Sequence, residues 1–119
     1  MKLKILFLLV FFILSNSLAY SQDTINKSEY IRNGEFVFYK DSLYTGIALE
    51  KTENGKVISE EKYKNGVANG IWKEWFKSGE KKFEGNFTNG KGNGTWTQWH
   101  EDGSIQRKIT FNNGKVIEE

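Results

Sequence analysis

Residues 70–90 read GIWKEWFKSGEKKFEGNFTNG. Two stretches rich in strand formers, Ile71 to Phe76 and Lys81 to Phe87, flank the pair Ser78-Gly79, and Asn89-Gly90 closes the run. In the second stretch Phe83, Gly85 and Phe87 alternate with Lys82, Glu84 and Asn86, the period of a strand with one face buried. Ser-Gly and Asn-Gly pairs accept the positive φ of tight hairpin turns at little steric cost. The stretch reads as a β-hairpin followed by a second turn.

The same run recurs in both directions at a spacing of 24. Gly46, Gly70 and Gly94 form one glycine column, Gly55, Gly79 and Gly103 a second, and Gly66, Gly90 and Gly114 a third. All nine are assigned as structural turn positions. Tyr63, Phe87 and Phe111 form an aromatic column, Asn65, Asn89 and Asn113 an amide column, and Trp72/Trp96 and Trp75/Trp99 two tryptophan columns. A fixed period of this kind is the mark of a stacked repeat array. The predicted fold is all-β, a single-layer antiparallel meander of successive hairpins running from about Gly34. Repeats are assigned to 44–69, 70–93 and 94–119. The first has Ala48 and Lys51 where the others carry tryptophan. Asn33 to Tyr39 reads as an incomplete unit, as expected of a terminal cap. Residues 22–43 are therefore assigned as a mobile N-terminus plus a capping unit, the polar stretch Asp23 to Glu29 being the mobile part.

Ahead of the repeats, Lys2 and Lys4 precede an apolar run from Ile5 to Leu14 and then the small and polar residues Ser15 to Ser21. This is the order of a secretory signal peptide, assigned to residues 1–21. As a helix the apolar run spans about 15 Å, half of a bilayer core of about 30 Å, which disfavours a permanent membrane span. The expected localisation is exported: periplasmic, outer-surface or secreted. The whole chain of 119 residues carries 17 basic and 15 acidic side chains; without Lys2 and Lys4 the two signs balance. A balanced chain with mixed signs around its aromatics argues against nucleic-acid binding. Cysteine and proline are both absent, which excludes a disulfide framework, a cysteine zinc site and a lipid-modified N-terminal cysteine.

The pattern Gly70-x-Trp72-x-x-Trp75-Phe76-x-Ser78-Gly79 with Phe87-x-Asn89-Gly90, repeated from Gly94 to Gly114, resembles the MORN-variant repeat. Bacterial chains of this kind resemble the family labelled toxin-antitoxin system antitoxin, YwqK type. The resemblance implies an elongated sheet of hairpins and, as one possible role, inhibition of a toxin partner. The family pattern usually has Tyr-Tyr where this chain has Trp75-Phe76 and Trp99-His100, and the first unit has Lys51-Thr52 there.

No catalytic constellation emerges. His100 is the single histidine and occupies the column of Phe76, so no histidine metal site or Ser-His-Asp arrangement is supported. Gly90-Lys91-Gly92-Asn93-Gly94 resembles a phosphate loop, but a strand follows it rather than a helix. The reading is therefore a non-enzyme without cofactor or metal. The candidate binding residues are an aromatic strip, Trp72, Trp75, Phe76, Trp96, Trp99 and His100, for an unknown protein or cell-envelope ligand. Odd spacing sends Trp72 and Trp75 to opposite faces, and Trp72 is expected beside Trp96. An open sheet edge around Lys108 to Val116 is expected to invite pairing, self-association included.

Overall fold

The computed structural model describes residues 23–119. The signal-peptide assignment, residues 1–21, lies outside them. Strands β1 (Asp23–Asn26), β2 (Ile31–Asn33), β3 (Phe36–Tyr39) and β4 (Ser42–Leu43) precede the repeats. A single 3-10 turn, Lys27–Glu29, follows β1. The repeats supply β5 (Gly46–Lys51), β6 (Val57–Lys64), β7 (Val67–Ala68), β8 (Gly70–Trp75), β9 (Lys81–Thr88), β10 (Lys91–Gly92), β11 (Gly94–Trp99), β12 (Ile105–Asn112) and β13 (Lys115–Glu118). The main sheet runs β1-β5-β6-β8-β9-β11-β12-β13, with β7 on β6 and β10 on β9.

Three hairpins, β5-β6, β8-β9 and β11-β12, repeat with the same register and the same bulge, at Glu50/Lys51, Glu74/Trp75 and Gln98/Trp99. The backbone N–H of Phe76 donates to the Glu80 carbonyl and that of Gly79 to the Phe76 carbonyl, and His100 and Gly103 repeat the pattern. Between hairpins, Asn65-Gly66, Asn89-Gly90 and Asn113-Gly114 each place both residues at positive φ, near 50° and 81–83°. That is the tight two-residue turn whose twist matches the strands it joins. The turn is also tied back by one side chain per repeat, since Thr45, Asn69 and Asn93 each accept from the Asn N–H. The second and third glycine columns thus sit in turns. Gly46, Gly70 and Gly94 have positive φ but open strands β5, β8 and β11, so the turn assignment does not hold for them.

The N-terminal region departs from expectation in two ways. Asp23 to Glu29 is not without structure: β1 lies parallel on β5, Asp23 to Asn26 opposite Gly46 to Leu49. Ile25 is buried there, while its neighbours are exposed. Four residues with one inward side chain carry no period to read, and the segment is held by backbone pairing with the edge of β5. Residues 31–43 also do not extend the meander. They form a separate antiparallel sheet, β2-β3-β4, whose Val37 is fully buried. At the other end, β13 pairs with Thr110, Phe111 and Asn112, so the edge expected over Lys108 to Val116 is in part already covered.

Candidate binding face

Register sorts the side chains of the repeats onto two faces. Paired residues share a face, so Gly46, Ala48 and Glu50 lie with Tyr63, Glu61 and Ser59 in the first unit. Their counterparts are Gly70, Trp72 and Glu74 with Phe87, Gly85 and Phe83 in the second, and Gly94, Trp96 and Gln98 with Phe111, Ile109 and Arg107 in the third. This face carries the aromatic column and is called the ladder face below.

Seven rings follow one another along it: Tyr39, Tyr44, Tyr63, Trp72, Phe87, Trp96 and Phe111. Successive centroids are 5.9, 6.0, 5.4, 4.5, 4.7 and 4.6 Å apart. Every pair is tilted or edge-on, the geometry that the ring quadrupole favours. The expected contact between Trp72 and Trp96 is therefore not direct, because Phe87 stands between them. Both indoles are fixed further: Trp72 Nε1 donates to the Lys62 carbonyl and Trp96 Nε1 to the Asn86 carbonyl, each at 2.9 Å. These two strip residues belong to the packing of the sheet.

Ala48 does not break the ladder. In the first unit Tyr44 supplies the ring, and its hydroxyl lies 2.7 Å from the carbonyl oxygens of Asp23 and Ile47. Positions 44, 68 and 92 hold Tyr, Ala and Gly, and positions 48, 72 and 96 hold Ala, Trp and Trp. Large and small have exchanged places between two positions four residues apart, one ahead of the strand that opens each hairpin and one within it. The need is physical: a Cβ on Gly92 would come within 2.8 Å of Trp96 Cζ2, and one on Gly85 within 2.7 Å of Trp96 Cδ1. A core of this density admits one large group in that space and not two.

The N-terminal segment covers the ladder face of the first unit. Tyr30 meets Tyr63 edge-on at 5.8 Å. Lys27 Nζ reaches Glu61 at 2.7 Å and Glu50 at 3.6 Å. Tyr63 donates from its hydroxyl to Glu61 at 2.6 Å, and Arg32 donates to the Tyr63 hydroxyl at 2.8 Å. Glu61 is 7% exposed and Ser59 3%, among the most buried polar residues of the described chain. Burial opposes the Lys27 ammonium, but the hydrogen bond and charge of Glu61 outweigh it and its pKa is raised. Burial, then the Glu61 hydrogen bond and charge, push the Tyr63 hydroxyl far up. Tyr44 is pushed up to about 12, chiefly by burial and then by the charge of Asp23.

Nothing among the described residues covers the same face over the second and third units. There it forms an open hollow of about 540 Å³ with Trp72, Phe83 and Phe87 as its apolar floor and Glu74, Phe76, Lys82 and Gln98 around it. Trp99 and His100 border it from the turn end. A second, smaller hollow of about 230 Å³, on Trp96 and Phe111, shares Phe83 and Gln98 with the first. The Lys82 ammonium stands 5.8 Å from the centre of the Phe76 ring. Of the strip residues, Trp72, Phe76, Trp99 and His100 are thus brought to one hollow and Trp96 to the next. Trp75 pairs with Lys81 one residue beyond Glu74, next to the opposite face, where Lys73 and Lys81 bridge to Glu84. Lys81 also lies 5.6 Å from the Trp99 ring. Phe83, central to the hollow, was legible only as a member of an alternating strand, and Phe87 also as a member of the aromatic column.

Among the described residues no cluster of three His, Cys, Asp or Glu is placed to hold a metal ion, and no helix is long and apolar enough to cross a membrane. No curated protein and no solved structure matches the chain. The family model described as the MORN repeat variant matches three consecutive stretches, residues 44–65, 68–89 and 92–113, more than half of the chain. Each stretch opens at Tyr44, Ala68 or Gly92, the positions of the large-for-small exchange. The chain belongs to the MORN repeat variant family.

Proposed function

We propose that this protein is an exported, non-catalytic repeat scaffold that binds a partner protein or a surface ligand through the ladder face of its second and third units. The observation that carries the reading is the hollow on Trp72, Phe83 and Phe87, a concave apolar floor ringed by a few polar groups. Aromatic patches of this kind are favoured contact surfaces. Export rests on the order of charge, apolar run and small residues at the start of the sequence. The test is affinity capture from envelope extract by the chain without residues 1–21, compared with a Phe76→Ser/Phe83→Ser variant whose fold is checked by far-UV circular dichroism. A ligand retained by the first and lost by the second is the expected result. Equal retention rejects the face.

The other reading is an antitoxin or immunity-type inhibitor, favoured by the repeat pattern from Gly70 to Gly114. It predicts a toxin gene beside this one and suppression of that toxin's killing on co-expression.

A further inference from the structure

The repeat supplies an internal model of what its ladder face accepts. Over the first unit the occupant is the chain's own segment Lys27 to Tyr30, in which a cation and, three residues on, an aromatic ring meet the face together. The cation sits 3.6 Å from Glu50 and the ring 5.8 Å from Tyr63. One repeat further on, the counterpart of Glu50 is Glu74 and that of Tyr63 is Phe87, and both line the open hollow. Ala48 and Ser59 are replaced by Trp72 and Phe83, which makes the floor more apolar. Glu61 is replaced by Gly85, where a Cβ would come within 2.7 Å of Trp96 Cδ1, so an incoming cation meets Glu74 in place of the Glu50 and Glu61 pair, with Glu101 also lining the hollow.

From this we infer that the hollow over the second and third units takes a segment of a partner polypeptide bearing a lysine or arginine and an aromatic residue three positions later, laid across the strands as Lys27 to Tyr30 is. The inference rests on the reading above that this face binds a partner, and it names that partner's chemistry. Glu74 selects the basic residue, and Phe83 and Phe87 receive the ring.

The test pans a library of 12-residue peptides displayed on phage against the whole chain. Enriched peptides are then titrated into the wild-type protein and into Glu74→Gln, an isosteric change at a partly exposed strand position, with the Trp72 indole followed by NMR. Enrichment of the basic-aromatic pair, a shift of the Trp72 indole, and binding about tenfold weaker to Glu74→Gln are expected, the loss of one charge-assisted contact. Peptides that shift the indole but bind Glu74→Gln with unchanged affinity overturn this inference and leave the scaffold reading standing. A library that yields no peptide, or only peptides that shift Trp75 and leave Trp72 unmoved, also overturns it.

Discussion

The first and second repeats share register, bulge and turn, yet one has a closed face and the other an open one. In the first, Lys27, Tyr30 and Arg32 close over Glu61 and Tyr63, and all five buried apolar side chains of the described core lie at or before residue 63. In the second, Gly85 and Phe87 occupy the same places, and Phe87, with Trp72 and Phe83 on the same face, remains partly exposed. The comparison separates two uses of one scaffold. A hairpin repeat makes a ladder of rings wherever it occurs, but a core forms only where a second segment covers that ladder. The first unit therefore serves as the folded anchor and the later ones as surface.

The largest effect that would break this contrast is at Glu61. Glu61→Ala leaves Lys27 and the Tyr63 hydroxyl without their shared partner and is expected to cost about 3 kcal/mol, the low end for a buried pair because Lys27 is partly exposed. Urea unfolding reads the loss, and hydrogen exchange should show β1 and β2 opening while β8 to β12 stay protected.

The exchange of large and small residues gives the next test. Gly92→Tyr alone should cost about 2 kcal/mol by overpacking against Trp96. Adding Trp96→Ala should recover much of it, since Tyr and Ala then stand in the third unit as Tyr44 and Ala48 stand in the first. Strictly additive losses in the double variant would show that the two arrangements are not interchangeable.

Alkali distinguishes the regions without a substitution. The raised pKa values of Tyr44, Tyr63 and Lys27 mean that the folded first unit holds its protons more tightly than the unfolded chain. Their stabilisation is complete below the ordinary values near pH 10 and declines as pH rises, for Tyr44 through about 12. The N-terminal units should therefore lose exchange protection before the later hairpins as pH rises above 10. Simultaneous loss along the whole chain would count against the anchor.

The smallest expected effect tests a feature the repeats have in common. Gly79, at φ +99° in the β8-β9 turn, should cost about 1 kcal/mol or somewhat more when replaced by valine, because a β-branched residue is strained there. Gly55 and Gly103 have the same sign of φ, so similar losses should follow in their hairpins.

The hairpins were legible because their signals are local. Asn89-Gly90 prescribes a turn, and the alternation of Phe83, Gly85 and Phe87 prescribes a face. The candidate site was legible only in part. Trp72, Phe76, Trp99 and His100 could be picked out as an aromatic group, but that Trp72 lies in a packed ladder depends on Phe87 entering from the neighbouring strand. Ala48 read as a lost ring, because the compensation by Tyr44 requires knowing that positions four apart, one ahead of the hairpin strand and one within it, compete for the same space.

What the sequence by itself determined is the repeat: its 24-residue period, its turns and the antiparallel hairpins between them, all set by short-range backbone preference and side-chain alternation. Only the tertiary structure decided which ladder face is covered. That choice rests on Ile25 in a four-residue parallel strand and on Lys27 and Tyr30 meeting Glu61 and Tyr63, more than thirty residues away in sequence. Contacts at such separation leave no local pattern, since each is a single side chain whose partner is set by how the sheet folds back beneath it.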